Sequence, residues 1–396
     1  YEILRCLVGS EMCIRDRLSM SVPLLFPDYQ NSILNIPCTL LKHFGLRAPH
    51  GTLAVLEQEL AAHHYQNIVL MVFDGMGMAV LEKDLPPESF LRHHIRQEIT
   101  SVFPPTTAAA ITAIQSGLSP VESGWLGWNA WFEEFGRPLV LFTNKDFYTQ
   151  EPVDGADVRG KILKTPHINE MLQSKLDTHD VSNLNNFCGT AHKVENLEQW
   201  FAKIETLCQS PKHKFIYGYW NNPDSEMHRN GVESPAAKEI LSVVNRHTEQ
   251  LADKLENTLL IITADHGMTD VESLYLDDYP ELEACLEHAP TLEPRFCSFK
   301  LKPGCKSQFQ KLFEQVFGED FLLMSKEEVL ERKLTGCGSP HPRAAEFMGD
   351  MLAIAVGNKI LQYRMKGVPQ PKSFAAHHAG LTADEMRVPL VLITAK

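Results

Sequence analysis

Apolar residues along this chain gather in short unbroken runs, each closed by a polar cluster, with stretches of helical period between them. Asn67–Phe73 is one such run, seven residues long and rich in branched side chains, which suits a strand buried on both faces. It closes in Asp74-Gly75-Met76-Gly77, a turn. Phe215–Trp220 predicts a second strand, ending in Asn221-Asn222-Pro223-Asp224. Thr258–Thr263 predicts a third, ending in Ala264-Asp265-His266-Gly267. Further strands are expected at residues 99–103, Gly349–Val356 and Val388–Thr394. Helices are expected over residues 52–63, over Ala108–Gln115 with Ser116-Gly117 as the stop, and over Pro235–Asn257. Strand–helix alternation implies an α/β fold with a mostly parallel sheet covered on both faces. Ligands of such sheets bind outside the carboxyl ends of the strands, where the polar clusters fall.

Two stretches break the alternation. Residues 124–165 are rich in Trp, Phe and charge, and residues 271–345 are acidic, mixed and loop-like. Both are expected to form cap or insert segments beside the site. Residues Gly9–Arg17 read like translated sequencing-adapter sequence, so residues 1–19 are expected to be a non-native extension and Met20 the natural start. Residues 20–396 then form one domain with its inserts. No internal repeat is apparent.

Composition narrows the partners. Of 396 residues 22% are charged, and the formal net charge is −13. Such a balance disfavours binding to a nucleic-acid polymer, and bound metal ions would have to supply any cationic pocket. The nine cysteines are scattered without a Cys-x-x-Cys pair, which predicts free thiols and a reducing, cytoplasmic setting. No run of eighteen apolar residues suggests a membrane span, and no long apolar leader suggests export.

Five segments carry the chemistry: Asp74-Gly75-Met76-Gly77, Pro105-Thr106-Thr107, Asp224-Ser225-Glu226-Met227-His228, Asp265-His266-Gly267 and His377-His378-Ala379-Gly380. Together they offer carboxylates and imidazoles, the donors zinc accepts, and a hydroxyl nucleophile. Asp224 and His228 are four apart, so one helical turn can aim both at one ion.

The set and its order resemble the alkaline phosphatase superfamily, and within it the nucleotide pyrophosphatase/phosphodiesterase branch (type I phosphodiesterase), over about residues 66–395. The resemblance implies an alkaline-phosphatase-like three-layer α/β/α sandwich. It also implies a nucleophile ten residues before the glycine of a Ser-Gly pair, which counts back from Gly117 to Thr107 in preference to Thr106. One ion would be held by Asp224, His228 and His378. The other would be held by Asp74, Asp265 and His266, with Thr107 beside it. His378, before Leu381-Thr382-Ala383-Asp384-Glu385-Met386, fits the family's late histidine better than His377, which is expected behind it. The ions are expected to be Zn2+, with Mn2+ an alternative. Two ions about 4 Å apart would activate the Thr107 hydroxyl, and a phosphothreonine intermediate would follow.

Departures from the family pattern refine the expectation. Ala110 stands where an asparagine often lies, so the backbone N–H of Ala108 at a helix N-terminus is expected to hold a phosphoryl oxygen. Ala379 makes the late motif less glycine-rich. No arginine accompanies the nucleophile, which argues for a diester over a monoester. Trp125, Trp128 and Trp131 are spaced by three, a core-like stripe, yet Trp125 and Trp128 are candidates to line a leaving-group pocket. His341 and Arg343 read as a surface loop. The expected function is hydrolysis of phosphodiester or nucleotide pyrophosphate bonds in a small-molecule substrate, possible nucleotides included. Phosphonate or phosphomonoester hydrolysis is the alternative, and a non-catalytic binding protein is a third. The setting that sulfatases require does not surround Thr107, and mutases of the superfamily use Ser.

Overall fold

A computed structural model describes residues 23–183, 192–369 and 373–395. The expected extension at residues 1–19, Met20, Cys6, Cys13 and Cys188 lie outside the described residues. The strands, in chain order, are β1 (Asn67–Phe73), β2 (Ile95–Thr100), β3 (Asn129–Phe132), β4 (Arg137–Val140), β5 (Lys145–Asp146), β6 (Asp177–Ser182), β7 (His192–Lys193), β8 (Lys214–Trp220) and β9 (Thr258–Thr263). They continue with β10 (Thr269–Asp270), β11 (Glu272–Tyr275), β12 (Thr291–Glu293), β13 (Phe296–Phe299), β14 (Phe321–Ser325), β15 (Met351–Ala355), β16 (Lys359–Gln362), β17 (Ala376–His377) and β18 (Arg387–Ala395). The helices that matter below are α1 (Thr107–Ser116), α2 (Ile168–Leu172), α3 (Leu197–Cys208), α4 (Asp224–Asn230), α5 (Pro235–Lys254), α6 (Lys306–Phe317) and α7 (Ala383–Met386).

The central sheet runs β2-β18-β9-β1-β8-β6-β7. β1 pairs in parallel with β8 and β9, and β8 with β6, whereas β18 lies antiparallel between β9 and β2. β1, β8 and β9 are buried along their whole length, as unbroken apolar runs require of central strands. α3 packs on β6 and β8 and also on α5, while α2 packs on β6, β8 and α1. Helices therefore cover both faces, which makes the expected α/β/α sandwich. α5 shows why this sequence is helical: Ser234 caps it by accepting from the N–H of Ala237, and Pro235 fills the first turn. Its buried Ala237, Leu241, Val244, Thr248 and Leu251 follow one face at spacings of three and four.

A second sheet runs β14-β15-β13-β12-β3-β4-β5. It is built from both stretches expected as inserts. The loop-like expectation for residues 271–345 is thus corrected: they contain β12–β14 and the amphipathic α6, whose Phe309, Phe313 and Phe317 are buried in a core of their own. The strand expected at Gly349–Val356 is present as β15, but it belongs to this second sheet and not to the central one. The predicted strand at residues 99–103 lies at Ile95–Thr100 instead. Pro104 and Pro105 have no N–H for a ladder, and residues 101–106 leave the sheet for the site. Cys38, Cys208, Cys285, Cys297, Cys305 and Cys337 are free thiols. Among the described residues no helix is long and apolar enough to cross a membrane.

Candidate metal centre

The turn after β1 is made by two glycines. Gly75 has φ +74°, and a Cβ there would lie 2.9 Å from the Cβ of Asp224. At Gly77 a Cβ would meet the Cα of Gly267 at 2.4 Å. Only glycine lets the ends of β1 and β9 and the start of α4 close on one another. Asp74, Asp224 and Asp265 thereby meet at one edge of the sheet, with Thr107 at the start of α1.

The six predicted ligands converge. Asp224 Oδ1 lies 3.3 Å from His228 Nε2 and 3.6 Å from His378 Nε2. His266 Nε2 lies 3.3 Å from Asp74 Oδ1 and 3.4 Å from Asp265 Oδ2. Thr107 Oγ1 is 3.2 Å from His266 Nε2 and 3.5 Å from Asp74 Oδ2. The rings of His266 and His378 stack at 3.7 Å. Two groups of ligand atoms fit within 4.8 Å: Asp224, His266 and His378, and Asp74, Asp265 and His266. His266 belongs to both, so its ring stands at the junction of the two expected ion positions.

The hydrogen bonds around the cage prepare it for cations. Nδ1 of His228 faces the Ala376 carbonyl at 2.8 Å, that of His266 the Gly267 carbonyl at 2.9 Å, and that of His378 the Pro105 carbonyl at 3.1 Å. In a neutral ring each Nδ1–H then donates outward, which leaves the Nε2 lone pair for the centre. Asp265 Oδ1 accepts from the N–H groups of Gly75 and His266 at 3.1 and 3.0 Å. Its Oδ2 has no hydrogen-bond partner, and neither has Oδ1 of Asp74 or Asp224. Three buried carboxylate oxygens without donors are costly unless something positive lies between them. The donor set therefore fits divalent metal ions.

Electrostatics agree. Burial, and then the Asp74 charge, hold the Asp265 carboxyl well above the usual carboxylate range. Burial and Asp224 likewise raise Asp74. Burial opposes charge on His266, yet Asp265 and Asp74 push it up to about 10. Each of these buried imidazole and carboxyl groups shifts the others through its charge.

The remaining sequence candidates separate. Ala108 is the second residue of α1, so its N–H is among the donors without an intrahelical partner. His377 pairs with Thr269 between β17 and β10, and its ring packs 4.9 Å from that of His228. The tryptophan stripe is not helical: Trp131 lies on β3 and stacks on His288. Trp125 is corrected from a pocket residue to a core one, since it is 2% exposed and its Nε1 donates to the Leu163 carbonyl. Trp128 is 36% exposed. Arg343 pairs with Glu134 and Glu346 on the second sheet's surface.

Several site residues escaped the sequence reading. The Tyr219 hydroxyl donates to Asp74 Oδ2 from within an apolar strand. Glu293, on β12, accepts from Thr106 Oγ1 at 2.6 Å. Arg295 forms a bidentate pair with Glu385 at 2.6 and 2.7 Å, both residues fully buried. Glu385 in turn accepts from the N–H of Gly380 at 2.7 Å and the hydroxyl of Thr382 at 2.6 Å, which fixes the loop carrying His378. The quoted Leu-Thr-x-x-Glu-Met segment offered a signal for Glu385, but Glu293 and Arg295 had none.

Human ectonucleotide pyrophosphatase/phosphodiesterase family member 7 is 34% identical over 93 residues, 21% of this chain and 20% of that protein. The rat protein of the same name is 27% identical over 164 residues, 39% of this chain and 33% of its own length. The matches thus span a third or less of these curated relatives. Among solved structures, murine ectonucleotide pyrophosphatase/phosphodiesterase 5 superposes with a TM-score of 0.59 at 18% identity, covering 82% of this chain and 87% of its own. Phosphonoacetate hydrolase from Sinorhizobium meliloti, in complex with phosphonoacetate, gives 0.63 at 15% identity, covering 84% and 91%. These likenesses identify the alkaline-phosphatase-like fold. The sequence profile of the type I phosphodiesterase / nucleotide pyrophosphatase family matches residues 68–302, more than half of the 396, and the chain therefore belongs to that family.

Proposed function

We propose that this protein hydrolyses phosphodiester or nucleotide pyrophosphate bonds in small molecules, with Thr107 as nucleophile. The observation that carries the reading is the Thr107 hydroxyl beside a cage of unpartnered carboxylate oxygens and outward-anchored imidazoles. Asp224, His228 and His378 would hold one divalent ion and Asp74, Asp265 and His266 the other, and His/Asp donors suit Zn2+. When bound, such ions supply positive charge that acidifies a hydroxyl and offsets charge on phosphoryl oxygens.

The chain's own groups do the rest. Thr107 Oγ gives up its proton and attacks phosphorus, and the P–O bond to the leaving group breaks as that oxygen takes up a proton. Water then attacks phosphorus and loses a proton, the P–Oγ bond breaks, and Thr107 recovers its hydroxyl as the phosphate monoester leaves. The N–H of Ala108 offers a donor to a phosphoryl oxygen at the positive end of α1. Tyr219 orients Asp74 from behind. Trp128 offers an exposed ring on which a nucleobase can stack. A murine relative was solved as an inactive threonine-to-alanine variant in complex with AMP, which supports a nucleotide in this role. The free thiols support a reducing, cytoplasmic setting; recovery of the native protein among exported proteins would remove it.

The test is a substrate panel on zinc-loaded and manganese-loaded protein. Bis(p-nitrophenyl) phosphate and a p-nitrophenyl nucleotide ester should be hydrolysed, and Thr107→Ala should lose at least about a thousandfold in rate. Elemental analysis should find about two ions per chain in both proteins. Full activity in Thr107→Ala removes the assigned nucleophile. Turnover of phosphonoacetate in place of either ester would transfer the assignment to phosphonates.

A further inference from the structure

Glu293 is 5% exposed, and its carboxylate accepts the 2.6 Å hydrogen bond from Thr106, the residue before the nucleophile. The backbone N–H of Trp128 is its second donor. Among the described residues no lysine or arginine pairs with it, and the positive groups that reach it are His228 and His266. The nucleophile segment itself, residues 104–116, contains neither Lys nor Arg. Outside the Asp/His cage, the charge that Glu293 brings against the nucleophile segment is therefore negative.

The chain is bent to put that carboxylate there. Leu292 has φ +73°, a left-handed conformation that costs energy for a leucine. Gly127 presses on the bend, where a Cβ would lie 2.9 Å from the Leu292 Cα. Asn129 Nδ2 donates to the Leu292 carbonyl at 3.0 Å. A strained turn, held from two sides, thus delivers an acid with no cationic partner to the edge of the centre. Neutral side chains could hold Thr106 equally well, so the charge itself calls for a use.

We propose that Glu293 is a specificity-determining residue that disfavours phosphoryl groups bearing two negative charges and tunes the site to monoanionic phosphodiesters over dianionic monoesters. The inference rests on the proposed reading that the Thr107 site receives phosphoryl groups. Glu293 is one hydrogen bond from the residue that precedes the nucleophile, and one extra substrate charge within roughly 10 Å of a fixed carboxylate weakens binding by about tenfold at an effective dielectric near 20.

Glu293→Gln tests it, because the amide keeps the shape and an oxygen for Thr106 while removing the charge. Glu293→Met, of similar length, is the second variant and carries the same expectation. Zinc-loaded proteins are titrated at pH 9 with inorganic phosphate, a dianion, and dimethyl phosphate, a monoanion. Burial pushes the Glu293 carboxyl up to about 7, so it is ionised at that pH. The phosphate affinity should rise about tenfold relative to dimethyl phosphate in both variants. The kcat/KM ratio of p-nitrophenyl phosphate to bis(p-nitrophenyl) phosphate should rise by a similar factor. Thr106→Val removes the hydrogen bond but keeps the charge, and should retain the wild-type ratios. Unchanged relative phosphate affinity in the Glu293 variants overturns the inference, as does a Thr106→Val protein that behaves like them. A wild type that hydrolyses neither ester, with the affinity shift still present, would instead sink the proposed function and leave this inference standing.

Discussion

At the scale of single residues, the centre is a set of charges that the chain does not balance by itself. Asp74 and Asp265 are both held above the usual carboxylate range, first by burial and then by other carboxylates. An acid whose pKa is higher in the folded state than in the unfolded one stabilises the fold at low pH. That stability is lost as pH rises from about 4 through the raised value. Metal-free protein should therefore lose melting temperature as pH is raised above about 4, whereas metal-loaded protein should change much less. Asp265→Asn should flatten the metal-free slope, because the amide has no proton to lose as pH rises. Thermal unfolding with and without chelator measures both, and equal slopes for the two metal-free proteins would refute the account. The candidate ligands were legible because short motifs that carry little alone occur together, each at a strand's carboxyl end and in the order of a known family. Glu293 and Tyr219 were not, since a lone acid on a short strand and a tyrosine in an apolar run acquire their roles only through contacts 187 and 145 residues away.

Among elements, β1, β8, β9, β15 and β18 were readable, whereas β6 and β7 of the central sheet and the remaining strands of the second sheet were not. β1 and β9 are unbroken apolar runs buried over their full length, and their ends fall where the sequence puts them. β3, β4, β12 and β13 are three or four residues each, too short for a period to declare itself. Their order, which sets the strands of residues 129–146 beside those of residues 291–355 at the β12–β3 pairing, depends on contacts far apart in the chain. The two sheets meet at Arg295 and Glu385, an ion pair with no exposed surface. The Arg295 guanidinium also donates to the carbonyls of Lys359 and Gly357 at 2.7 and 2.8 Å, so its donors are well satisfied. Truncating one partner leaves a buried charge alone. Glu385→Ala should thus cost roughly 3–5 kcal/mol and also lower metal content, because the Gly380 N–H that anchors the His378 loop loses its acceptor. A double variant, Arg295→Met with Glu385→Leu, should recover much of the stability but not the metal. If Glu385→Ala bound metal like wild type, the glutamate would be a support of the fold alone.

For the whole molecule, the question is how far the state of the metal centre is felt. Three clusters of buried apolar residues underlie the fold. The largest lies under the central sheet. The second joins Phe103, Ala108, Ala379 and Met386 of the body to Phe296 and Leu352 of the second sheet, so it adjoins the nucleophile and the His378 loop. The third surrounds the α6 phenylalanines and, unlike the first two, holds no residue adjacent in sequence to a cage residue. Closing the cage around cations removes repulsion in the first two regions only. Chelation should therefore speed amide exchange at residues 74–77, 265–267 and 376–380, at the start of α1 and in β12, whose Glu293 touches Thr106. Exchange in α6 should be unchanged, because its protection rests on Phe309, Phe313 and Phe317 packing against Phe299 and Phe321. Hydrogen-exchange mass spectrometry with and without chelator resolves these segments. Equal acceleration in α6 would mean that the molecule loosens as one unit and that the cage stabilises the whole fold, not its two neighbouring cores.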